Sequence, residues 1–135
     1  MIKIEQKAYE KSTICLYVTL LDIDKTAVTP KTMLWTLVDK NDDIMNAREQ
    51  VTVPVGNLGA VQDSEGRVST RIVLSGDDLL ITEAEETNNT VSRDGALRRL
   101  VIEATYDGTC GNDLPVTGAG EFVVINLPYI RLMVP

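Results

Sequence analysis

The feature that most constrains this chain is a two-residue rhythm. Apolar side chains alternate with polar or small ones at Ile14, Leu16, Val18 and Leu20, at Met33, Trp35 and Leu37, at Val68, Thr70, Ile72 and Leu74, and at Leu100, Ile102, Ala104 and Tyr106. In an extended strand, successive side chains point to opposite faces, so each series can line one face of a sheet. Six stretches carry this rhythm, each fenced by Gly, Pro, Asp or Asn, the residues that turn a chain. No stretch shows a comparable 3.6-residue stripe, which directs the chain to an all-β class.

The spacing predicts a first edge strand at about 2–6, then strands at 12–22 and 32–39. A shorter extended piece at 44–55 is interrupted near Asn46 and Ala47, and strands follow at 67–75, 97–107 and 119–127. Ser75-Gly76-Asp77-Asp78-Leu79 predicts a corner with a single helical turn. Residues 82–96, rich in Glu and Asn, read as a long surface loop, and the Gly-flanked stretch from Asp107 to Pro115 reads as another. Strands at short intervals without intervening helices predict an antiparallel sandwich of seven or eight strands. At 135 residues the chain has the length of one domain, spanning 1–135, able to bury a core without disulfides or metal.

Composition removes several functional classes. A net charge of −7 repels nucleic-acid backbones. Aromatic residues make up only 4% of the chain, too few for a sugar- or base-stacking platform. The apolar runs are too short to form a membrane-crossing helix, and Met1-Ile2-Lys3-Ile4-Glu5 interleaves charge instead of opening a secretory signal. Cys15 falls on the outward phase of its strand and Cys110 in the Gly-flanked loop, so both are expected as free thiols, in keeping with production in a reducing cytosol.

Candidate chemistry is thin. Without histidine there is neither a Ser-His relay nor an imidazole metal site. Asp39, Asn41 and Asp43 have the alternation that opens a calcium loop, but Ile44 and Gln50 stand where such a loop needs Gly and Glu. Asp22 with Asp24, and Asp77 with Asp78, are discounted likewise. Every Asp and Glu falls in an expected turn or on a solvent-facing strand position, where no carboxyl would gain the raised pKa of a general acid. We expect no enzyme activity, catalytic residue, cofactor or bound metal. Asn88-Asn89-Thr90 matches a glycosylation acceptor by chance, and either Arg98 faces the core while Arg99 faces water or the stems of both cover the sheet rim.

The two ends stand apart. Tyr129, Ile130, Leu132, Met133 and Val134 give five apolar residues in the seven at 129–135, where a free tail would be polar. This stretch is expected either to curl back as an edge strand or to lie on a neighbouring subunit by strand addition. Segments 128–135 and 1–8, the latter with Ile2 and Ile4, are therefore candidate assembly arms and partner-binding residues.

Trp35 in mid-strand, and Tyr106 ending an inward series after the Gly76 corner, sharpen the sandwich toward an immunoglobulin-like one. Residues 13–127 resemble the small immunoglobulin-like structural proteins of tailed bacteriophages. The resemblance is carried by Val28-Thr29-Pro30 before Trp35-Thr36-Leu37-Val38-Asp39, by Ile44-Met45-Asn46-Ala47-Arg48-Glu49 and by Val73-Leu74-Ser75-Gly76-Asp77-Asp78-Leu79. It continues through Arg99-Leu100-Val101-Ile102-Glu103-Ala104-Thr105-Tyr106-Asp107 and Gly111-Asn112-Asp113-Leu114-Pro115 to Glu121-Phe122. It implies a virion component, made in the host cytoplasm, whose partners are copies of itself and other virion proteins. A neck or collar ring at the head-to-tail connection is expected first. Capsid decoration, a tail or baseplate role, and a binding module for a cell-surface ligand are the alternatives.

Overall fold

The computed structural model describes residues 2–9, 11–22, 25–62, 66–81, 95–108 and 110–125. Its strands are β1 (Ile2–Tyr9), β2 (Thr13–Val18), β3 (Leu20–Leu21), β4 (Ala27–Val28), β5 (Thr32–Asp39), β6 (Val51–Thr52), β7 (Val61–Gln62), β8 (Val68–Ser75), β9 (Ala96–Gly108) and β10 (Gly111–Ile125). Short 3₁₀ turns at Val55–Asn57 and Gly76–Leu79 are the helical elements among the described residues. The protein is all-β. A five-stranded sheet runs in the order β1-β10-β9-β5-β6 and curls into a half-barrel, and a three-stranded sheet runs β2-β8-β7.

The two-residue rhythm sorts side chains as expected. Along β9, Ala96, Arg98, Leu100, Ile102, Ala104 and Tyr106 are buried while their neighbours are half-exposed. Met33, Trp35 and Leu37 of β5, Ile14 and Leu16 of β2, Ile72 and Leu74 of β8, and Phe122 and Val124 of β10 join one apolar cluster with residues of β9. Both large sheets thus contribute their inward faces to a single core.

The start of β9 is fixed tightly. Gly95 holds φ at +117°, and a Cβ there would lie 2.2 Å from the Val124 carbonyl oxygen, so only glycine permits this approach. Arg98 is fully buried, and its guanidinium donates to the carbonyls of Leu80 at 2.8 Å and Leu97 at 3.0 Å. This ties β9 to the chain leaving the Gly76–Leu79 turn, a buried charge anchored on backbone oxygens.

Several sequence expectations are corrected. The sheet is not wholly antiparallel, because β1 pairs with β10 in parallel, Ile2 opposite Gly120 and Tyr9 opposite Ile125. The expected loop from Asp107 to Pro115 instead takes in the end of β9 and the first five residues of β10, at the tip of a long hairpin. β9 and β10 pair from Gly108 opposite Gly111 to Ala96 opposite Val124, with an irregularity before Leu114. The strand expected at 12–22 breaks at Thr19, after which Leu20 and Leu21 pair with Val28 and Ala27. Of the piece at 44–55 only Val51–Thr52 is strand, beside a lone bridge from Ile44 to Val38, since Asn46, Ala47 and Gln50 adopt φ near +50°. The expected loop at 82–96 lies outside the described residues up to 94.

Candidate functional site

Of the residues singled out as partner-binding, Ile2 and Ile4 lie in β1, on the outer strand of the larger sheet. Tyr129, Ile130, Leu132, Met133 and Val134 lie outside the described residues. The acidic turns are occupied by their own backbone. Asp39 Oδ1 accepts from the amides of Asn41 at 2.8 Å and Asp43 at 3.0 Å, Asp22 Oδ1 accepts from Thr26 N at 3.0 Å, and Asp42 pairs with Arg99. These are side-chain-closed turns of the kind Asp favours. Among the described residues no three acidic or sulfur side chains converge as a metal ligand set would. Both cysteines are free thiols, Cys15 half-buried and Cys110 exposed.

One carboxylate departs from the expectation that every acid faces water. Asp78, in the turn after β8, is buried, with Oδ1 accepting from Arg48 Nε at 2.7 Å and Asn46 Nδ2 at 2.8 Å, and Oδ2 from Ser75 N at 3.2 Å. Burial pushes its pKa up, but the hydrogen bonds from Arg48, Asn46 and Ser75 outweigh that and hold the carboxyl below its ordinary 3.8. The Arg48 guanidinium also sits 5.9 Å from the centre of the Trp35 ring. Asp78, Arg48, Ser75 and Trp35 line a polar cleft of about 270 Å³ between β5, β6 and β8, together with Arg71. A carboxylate kept ionised by three donors is poorly suited to general acid work and well suited to clamping the turn onto the segment between β5 and β6 that carries Asn46 and Arg48.

Tyr106 is inward, as its place in the series requires, but away from the Gly76 corner. It is buried at the far end of β9, opposite Leu114, whereas the Gly76–Leu79 turn meets β9 at its start. Arg98 makes that connection instead.

The second concavity is apolar, about 360 Å³, and sequence reasoning missed it. Its floor is Leu100, Ile102 and Val116, its rim is Tyr17 and Leu21, and its far wall is the run of small residues at 117–120. Tyr17 and Leu21 remain 52% and 49% exposed, among the most exposed large apolar side chains described. The groove lies where two strand edges are open. The first partner of β1 on β10 is Gly120, so among the described residues nothing pairs with that edge of β10 over 111–119. Among the described residues β2 pairs with β8 alone. The consecutive Leu20 and Leu21, which break the two-residue rhythm, and the small-residue run Thr117-Gly118-Ala119-Gly120 were the available signals.

Comparison with models of known protein families, with curated proteins and with solved structures finds no match for this chain.

Proposed function

We propose that this chain is a non-enzymatic structural protein of a tailed-bacteriophage particle, an immunoglobulin-like sandwich that assembles in multiple copies, with a neck or collar ring as its setting. Strand order supports the fold reading. β10-β9-β5-β6 in one sheet and β2-β8-β7 in the other match the two-sheet division of immunoglobulin variable-type domains, in which the third, sixth and seventh main strands are neighbours and the second pairs with the fifth. A parallel first strand on the last one extends that sheet.

The observation that carries assembly is the pair of strand edges, unpaired among the described residues, that meet at an apolar groove. Soluble monomers blunt or cover such edges, because unpaired backbone groups beside apolar surface recruit another strand. A protein working in a ring gains from the same feature, since a heterologous contact repeated around a closed symmetry forms the ring. Purifying particles from cells that make this chain, and locating it by mass spectrometry and electron microscopy, tests the reading. Multiple copies at the head-to-tail junction are expected. Particles that lack the protein would refute it.

A further inference from the structure

We infer that the apolar groove between the edge of β2 and the open edge of β10 is the receptor for residues 129–135 of a second copy of this chain, entering as an added strand. The inference rests on the assembly reading above and names the surface and the segment through which copies join.

The groove offers both things an incoming strand needs. The edge of β10 over 111–119, beyond the end of β1, presents unpaired backbone groups among the described residues, and the floor of Leu100, Ile102 and Val116 accepts alternate apolar side chains. The wall is made of small residues, and a Cβ added at Gly118 would meet nothing within 4 Å, so that stretch leaves room for a neighbour's side chains. The segment at 129–135 supplies Tyr129, Ile130, Leu132, Met133 and Val134, with a single charge at Arg131. Its apolar character matches the floor.

Reach decides between the same chain and another. β10 ends at Ile125, and β1 occupies the β10 edge from Gly120 to Ile125, so a tail from the same chain must first pass about 17 Å of occupied edge. Seven extended residues span about 25 Å at most. After residues 126–128 reverse the chain, only about two of those seven could lie in the groove. A second copy meets no such restriction and can seat the whole segment.

Cross-linking tests this on the full chain, with the native thiols removed by Cys15→Ser and Cys110→Ser. Chains carrying Gly118→Cys are mixed with chains carrying Leu132→Cys and mildly oxidised. A mixed disulfide dimer is expected, falling at least about ten-fold when Tyr17→Asp and Leu21→Asp are added on the half-exposed rim, where charge leaves the core intact. Absence of the mixed dimer, or a chain bearing both cysteines that closes on itself instead, overturns the inference. Sedimentation of the chain with its native thiols gives an independent arm. Self-association should be lost in the Tyr17→Asp, Leu21→Asp variant while its melt stays cooperative, and unchanged association overturns the inference. Particles that contain the protein and incorporate this variant normally refute the groove and leave the virion reading standing. Particles lacking the protein, with the cross-link still formed, refute only the virion reading.

Discussion

Replacing Asp78 probes the clamp that joins the Gly76–Leu79 turn to Asn46 and Arg48, in the segment between β5 and β6. Asp78→Asn keeps the shape but has a single acceptor oxygen, while the native carboxylate takes two donors on Oδ1 and one on Oδ2. Whichever way the amide is turned, its NH2 faces at least one donor, so one or two charge-assisted bonds are lost, at about 1.5–3 kcal/mol for such a bond. Asp78→Ala removes all three. Its cost is tempered because the Arg48 side chain is 41% exposed and can rehydrate once released, which holds the expected loss to about 2–4 kcal/mol. For a domain of this size that lowers Tm by roughly 6–15 °C.

Urea melts followed by the fluorescence of Trp35, the single tryptophan, read the change directly, since Arg48 lies over its ring. The pH dependence has a fixed sign. The folded-state pKa of Asp78 is lowered, so its contribution is present above the unfolded value of 3.8 and is lost as pH falls through the folded value. The gap between native protein and Asp78→Asn should therefore be full at pH 7 and close under acid. A loss under about 0.5 kcal/mol at pH 7, or a gap that persists unchanged well below pH 3.8, would refute the clamp.

Trp35→Ala should cost about 3–5 kcal/mol in denaturant melts, the range for a buried large aromatic, and a loss below about 1 kcal/mol would mean that its 6% exposure misstates its packing. Gly95→Ala should destabilise by more than the roughly 1 kcal/mol of an ordinary glycine replacement, because its Cβ would meet the Val124 carbonyl; an unchanged Tm would contradict the close approach. Removing divalent cations with a chelator should leave Tm where it was, because Asp39 and Asp22 each engage Oδ1 with backbone amides of their own turns, and a drop restored by calcium would overturn that account.

The core was legible in the sequence where one face of a strand is buried and the other is not. Trp35, Leu37, Leu100 and Ile102 could be placed by rhythm alone, because a one-residue slip would expose them all. The first half of β10 was not legible. Gly111 and Gly118, with Pro115 between them, carry turn-forming composition, and partnership with the long β9 overrides it. The parallel pairing of β1 was invisible for a different reason, since its partner lies at the other end of the sequence and local pattern holds no record of it. Asp78 looked like one more acid in a turn, and what buries it, Arg48 and Asn46, sits thirty-odd positions upstream. The open groove left only a faint mark, a doubled leucine and a run of small residues, because a surface made of edges has no periodicity of its own.

Joining residue 2 to residue 120 also sets the order in which this molecule can be completed. During synthesis β1 emerges more than about a hundred residues ahead of β10 and has no partner in this sheet until β10 has left the ribosome, so over that interval it is an unsatisfied strand. Contacts this distant in sequence close slowly, because a long loop must be ordered before any bond rewards it. The β9–β10 hairpin, whose partners are adjacent in sequence, is available to form before β1 docks. The larger sheet should therefore gain its outer strand as a late kinetic step, measurable as amide protection in β1 that lags behind protection in β9 during refolding.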